Sequence, residues 1–175
     1  MACIKLNKAI SFGCAGGSVG LAGLFLVNKA ELQSFTVQSD VVVSGVVLAS
    51  GGKAIPVDCY KNGAKIVSAM RSLDGAAGME QTVTVTIYDK TSDGAVIKEA
   101  LLSGNYVAFA KLKDGGNIQV AGLYNGLECA SMDEDSSAAG GFTTVTLKTP
   151  DNSRGDRNMV ALPAVWDYLT ANKIS

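Results

Sequence analysis

The sequence contains no histidine. That absence removes the commonest general base near neutral pH and the commonest metal ligand, and with them every Ser-His and Cys-His nucleophile pair. Aromatic residues make up only 6%, with a single tryptophan, Trp166, which disfavours a sugar site built on stacked aromatic platforms. Charge of either sign is scarce: 15 basic residues face 16 acidic ones for a net −1, too little for a field that steers nucleic acid or anionic lipid. The four cysteines, Cys3, Cys14, Cys59 and Cys129, include no C-x-x-C pair, so a zinc site would need all four to converge. They are expected to be free thiols in a reducing compartment, with no metal and no cofactor.

Long hydrophobic runs are missing too. After Lys5 and Lys8, the residues Ser11, Gly13, Gly16, Gly17 and Ser18 break the apolar amino end. Its longest unbroken piece, Val19 to Val27, includes two glycines and is far shorter than the ~20 residues of a membrane helix. No membrane segment or leader is expected, and synthesis is expected in the cytoplasm. The stretch GCAGGSVGLAG matches neither the G-x-x-x-x-G-K-[ST] nor the G-x-G-x-x-G spacing, and is read as a flexible glycine-rich loop at 13–23.

What is present suits a β-rich building block. A chain of 175 residues, 47% hydrophobic and with 20 glycines against three prolines, fits one domain, 1–175, with a substantial core and many tight bends. Mean hydropathy is +0.23, high for a chain with so few charges, and points to apolar surface covered by neighbouring copies. The fold class read from these features is mainly β: an antiparallel sandwich or barrel-like sheet with one or two short flanking helices.

Alternation places the strands. Cys3–Phe12 reads as a first strand. Leu24–Val27 and Ser34–Gln38 are two short strands around a polar corner at Asn28-Lys29. Val41–Ala49, apolar except for Ser44 and Gly45, predicts a strand buried on both faces with a bulge at Gly45. Asn62-Gly63 predicts a hairpin over 57–69. In Gln81–Asp89, Val83, Val85 and Ile87 alternate with threonines. Asn105–Leu112 turns through Asp114-Gly115-Gly116 into Asn117–Gly122, an antiparallel hairpin. Phe142–Thr149 completes the set, and at least seven strands are expected in all.

Two helices are predicted. One is capped at Thr91 or Ser92, presents Val96, Ile97, Ala100 and Leu101, and stops at Gly104. The other starts at Pro163 and presents Val165, Trp166 and Leu169 before Asn172.

No constellation carries chemistry, so neither a catalytic nor a binding residue is assigned and the chain is read as no enzyme. Asp133-Glu134-Asp135 lacks the spaced pattern of a calcium loop, and adjacent side chains point apart, so it reads as a solvated acidic loop. Arg154-Gly155-Asp156 spells an adhesion tripeptide, but DNSRGDRN reads as an ordinary turn. Lys98, Lys111, Lys113, Tyr106 and Tyr124 are taken as sheet-surface residues.

The order of these signals resembles a known family. An amino-terminal strand, a glycine-rich loop, LFLVNKAELQSFT with its Asn28-Lys29 corner, a β body, the Gly122-Leu123-Tyr124-Asn125-Gly126-Leu127 turn, and Gly140-Gly141 leading into Thr144-Val145-Thr146-Leu147 are similar to structural proteins of tailed phages and prophages of Bacteroidetes, especially tail-tube-like subunits. The resemblance implies a virion protein whose copies form rings that stack into a channel for DNA. Its partners would be itself and other virion proteins, its location the virion, and Asp133, Glu134 and Asp135 would supply local acidity in the lumen. The alternatives are another virion part, such as a head decoration or connector, and a monomeric β-sandwich binding module for carbohydrate or a host surface. Phe25 is expected on the surface that neighbouring copies cover.

Overall fold

The fold was obtained as a computed structural model that describes residues 20–59, 63–73, 76–114, 116–135, 137, 142–151 and 153–174. The expected strand Cys3–Phe12, the thiols Cys3 and Cys14, and the Gly140-Gly141 pair lie outside the described residues.

The chain is mainly β, with short flanking helices. In order come β1 (Leu21–Asn28), a 3-10 turn (Lys29–Glu31), β2 (Leu32–Gln38), β3 (Val42–Leu48), β4 (Ala54–Val57), β5 (Ala64–Leu73) and β6 (Ala76–Ile87). Then follow α1 (Ser92–Ser103), β7 (Asn105–Leu112), β8 (Ile118–Ala121), β9 (Leu127–Glu134), β10 (Thr143–Lys148), β11 (Met159–Ala161) and α2 (Pro163–Ala171). Neighbouring strands run β2-β3-β11-β8-β7-β9-β10-β6-β5, with β1 joined to β7 and β4 joined to β1. Among the described residues all strand pairs are antiparallel except β11 with β3.

The β1–β7 pair is the centre. Along β7, Val107 and Phe109 face one core while Tyr106, Ala108 and Ala110 face a second. The same alternation sends Phe25 and Val27 of β1 to the first core and Leu24 and Leu26 to the other. The first core is closed by β3, β8 and α2, the second by β6 and β10. A strand buried on both faces needs apolar residues at successive positions, which LFLV in β1 and YVAFA in β7 supply.

On the other side of β7 the chain forks. β8 pairs with its carboxyl half (Ala108↔Ala121) and β9 with its first residues (Tyr106↔Leu127). β8 then continues to β11, and β9 to β10. Between them Gly122 and Gly126, at φ 73° and 76°, make the turn that lets one run serve two half-sheets.

Several expectations hold: β7 spans Asn105–Leu112, β8 forms the expected hairpin with it, and β6 and β10 carry the Val/Thr alternation. The bulge falls beside Gly45, where Ser44 is passed over between Thr36↔Gly45 and Val37↔Val43. Pro163 opens α2, which buries Val165 and Leu169.

Others are corrected. β1 begins at Leu21, so the glycine-rich loop expected at 13–23 is already strand by its end, and a Cβ at Gly23 would stand 3.0 Å from the Trp166 ring, which would have to shift to admit it. The 57–69 hairpin does not form: β4 pairs with β1, while β5 pairs over its whole length with β6. β3 is buried on one face only, since Val43, Val46 and Leu48 point inward and Val47 is 47% exposed. Of the four apolar residues assigned to the face of α1, Leu101 alone is buried, while Val96 is 68% exposed. Asp133 and Glu134 end strand β9 and do not sit at a loop tip. Tyr106 is a core residue, 3% exposed. Phe25, 6% exposed, belongs to the first core, so its apolarity is satisfied within the chain and not by a neighbour.

Candidate functional site

Three polar nodes converge on residues 149–157, the connection from β10 to β11. On the β5–β6 hairpin, Arg71 Nε donates to Glu80 Oε2 at 3.1 Å while its Nη1 donates to the carbonyl of Pro150 at 2.7 Å. Lys148 joins the same network through Asp151, at 2.8 Å. The planar guanidinium, with donors in fixed directions, suits such a clamp on several carbonyls.

Deeper, Gln81 of β6 is 1% exposed. Its Oε1 accepts from Gly122 N (2.8 Å), its Nε2 donates to Arg157 O (3.1 Å) and Val120 O (3.4 Å), and its backbone N–H donates to Thr149 Oγ1 (2.9 Å). A buried amide with both ends satisfied ties the fork at Gly122 to the 149–157 connection.

The third node is Asp156, 3% exposed. Its carboxylate accepts from Tyr124 N (3.3 Å), Asn125 N (3.2 Å) and Asn125 Nδ2 (2.7 Å), and its backbone bridges Met79. Burial pushes its pKa up, against the opposing pull of these donors and of Lys29. Lys29 donates to the carbonyl of Leu123 and lies 5.8 Å from the Phe35 ring centre, and burial pushes its pKa down. Phe35 in turn meets Tyr124 edge-to-face at 5.4 Å. A buried carboxylate, a desolvated lysine and a phenol in one place form a cluster worth testing as an active site. Here Asp156 accepts from the Tyr124 and Asn125 groups and Lys29 donates to Leu123 O, so the cluster acts as a lock on the turn at 122–126.

The remaining candidates do not come together. Asp156 is buried, so the Arg154-Gly155-Asp156 tripeptide cannot present its carboxylate to a receptor. Glu134 pairs with Lys98 of α1 at 3.0 Å. Lys111 lies 5.5 Å from the Trp166 ring centre. Cys59 and Cys129 are free and half-buried, and burial raises both thiol pKa values, the reverse of what a nucleophile needs. Among the described residues no three His, Cys, Asp or Glu side chains are grouped to hold a metal ion, and no helix is long and apolar enough to cross a membrane. A depression of about 430 Å³ between Ala64, Lys65 and Ile66 of β5 and Leu112 and Gln119 has, among the described residues, one charged side chain and no carboxylate.

What the surface does offer is strand edges. Among the described residues β2 pairs only with β3, β5 only with β6 and β4 only with β1, so β2 and β5 stand unpaired at opposite ends of the strand order, and β4 is a third one-sided strand. Val67 (49% exposed) and Met70 (75%) lie on β5. Gln81 and Arg71, which sequence reasoning passed over, carry no motif, and Lys29 was read only as part of a corner; the one available signal was a glutamine standing where the TVTVT alternation places an inward residue. Comparison with protein-family models, curated proteins and solved structures finds no match to this chain.

Proposed function

We propose that this chain is a virion structural protein, a tail tube subunit whose copies join head to tail into rings that stack around a DNA channel. The observation that carries the reading is the pair of edges, β2 and β5, that stand unpaired among the described residues at the two ends of the strand order. An unpaired edge exposes a row of backbone donors and acceptors that another chain can satisfy, and a heterologous contact that closes satisfies every copy at once.

A second reading, a monomeric binding module, is favoured by the Phe35–Tyr124 pair beside Lys29, since Tyr124 is 47% exposed. Light scattering and electron microscopy of the purified protein separate the two. Tubes or rings are expected, and Val67→Lys with Met70→Lys should leave folded monomers, because an edge lysine blocks strand pairing without touching the core. A stable wild-type monomer at high concentration would overturn the assembly reading in favour of the binding module.

A further inference from the structure

An amine, a carboxamide and a buried carboxyl from three separate parts of the chain meet at the turn after β8. Asn125 Nδ2 donates to Asp156 Oδ1 at 2.7 Å, and because a carboxylate can only accept, this contact fixes which end of the amide faces it. Lys29 Nζ donates to the carbonyl of Leu123, in the same turn as Asn125, and Asp156 is near enough for its charge to act on Lys29. The turn itself is held from outside the cluster. Gly122 N–H donates to Gln81, Leu123 is buried in the first core, and Gly126 N–H donates to Gly122 O at 2.9 Å. The Phe35 ring beside Nζ and the Tyr124 ring against Phe35 shelter the group from water, whereas the carboxylates of the Lys98–Glu134 and Lys148–Asp151 pairs are exposed.

We propose that Lys29 and Asn125 become joined by an amide bond between their side chains, with Asp156 as the proton carrier. The step starts from the ionised carboxylate that the surrounding donors favour. Asp156 takes one proton from the Lys29 ammonium, and the amine so formed attacks Asn125 Cγ. As the Cγ–Nδ2 bond breaks, Asp156 passes its proton to Nδ2, the atom it already touches, and receives the second proton that Nζ gives up. The nitrogen of Asn125 leaves as ammonia. One C–N bond forms and one breaks, so no oxidant or cofactor is needed.

The one movement required is a swing of Nζ from the Leu123 carbonyl to within about 3–3.5 Å of Asn125 Cγ, the distance at which such groups react, about the bonds of its flexible stem. Burial works in the same direction, since it disfavours the ammonium and so favours the nucleophilic amine. The bond would tie the corner between β1 and β2 to the fork at Gly122, and it would restrict the unfolded chain as a disulfide does, in a chain whose described thiols are free. It lies within one chain and is independent of the assembly reading, since a monomer and a ring would carry it alike.

Mass spectrometry of the purified, denatured full chain tests this. Its mass should fall short of the sequence mass by one ammonia, and trypsin should fail to cut after Lys29 and release a branched peptide joining residues 9–53 to residues 114–148. Lys29→Arg, which keeps the positive charge but not the amine, should restore the full mass, as should Asp156→Ala; Lys29→Arg serves if Asp156→Ala does not fold. A wild-type chain of full mass that trypsin cuts after Lys29 would overturn the proposal. So would a deficit of one ammonia that persists in Lys29→Arg without a branched peptide, which would be a ring closed within Asn125-Gly126, and so would a branched peptide that forms undiminished in Asp156→Ala.

Discussion

A Cβ on Gly78 would stand 2.2 Å from the carbonyl oxygen of Arg154. The two residues belong to β6 and to the connection before β11, and the bridge between Met79 and Asp156 follows directly, with N···O distances of 2.8 and 3.0 Å. Backbone lies on backbone here, and neither side is a flexible side-chain end that can give way.

Gly78→Ala is accordingly expected to destabilise the fold by about 1–3 kcal/mol, the usual range for forced overpacking. Urea denaturation read by Trp166 fluorescence measures it. A substitution within 0.5 kcal/mol of wild type would show that the connection yields freely.

Gln81→Leu keeps the size of the side chain and deletes its amide. Gly122 N–H, Arg157 O and Val120 O all lose a partner in the interior, where an unsatisfied polar group costs about 1–3 kcal/mol. The expected loss is about 2–4 kcal/mol, and hydrogen exchange should locate it at Gly122. A global loss with Gly122 still protected would place the role of Gln81 in packing alone.

How much of this was legible in the sequence depends on whether a residue's partner lies nearby. β6 and β10 announce themselves because Val83-Thr84-Val85 and Val145-Thr146-Leu147 show the two-residue period of a sheet with one buried face, and β7 because Tyr106 to Ala110 is the continuous run of a strand buried on both faces. β9 does not: its inward residues Leu127, Cys129 and Met132 are spaced two and then three apart, because the register slips between Ser131 and Cys129. β11 is three residues long and leaves no period to detect. Asn62-Gly63 marks a change of direction but holds no information on which strand β5 will choose, and Ala64–Leu73 finds ten partners in β6. The lock at Asp156 was hidden inside a tripeptide whose local sequence reads as a turn, since its partners Tyr124, Asn125 and Lys29 are remote in the chain.

Tyr106 supplies the pH test of the second core. Its hydroxyl donates to Ala100 O at 2.7 Å, tying β7 to the end of α1, and burial raises its pKa above the ordinary value of 10.0. The folded form holds the phenolic proton more tightly than the unfolded chain, so this contribution is intact below pH ~10 and is lost as pH rises through the folded pKa. Stability should therefore fall above pH ~10, and Tyr106→Phe should cost about 1 kcal/mol at neutral pH while making the alkaline loss shallower. An unchanged alkaline slope in the variant would assign that loss to other groups.

The placement of β1 sets a problem of timing during synthesis. Leu24 to Val27 are paired with β4 and, on the other side, with Val107 to Ala110 of β7, so a strand with a four-residue apolar run is made early and completed late. At roughly 5–20 residues per second, several seconds pass between the translation of β1 and that of its central partner. During that interval the nascent chain carries an unsheltered LFLV segment, and a holding chaperone or a slowed ribosome would bear on yield more than any stabilising change in the finished fold.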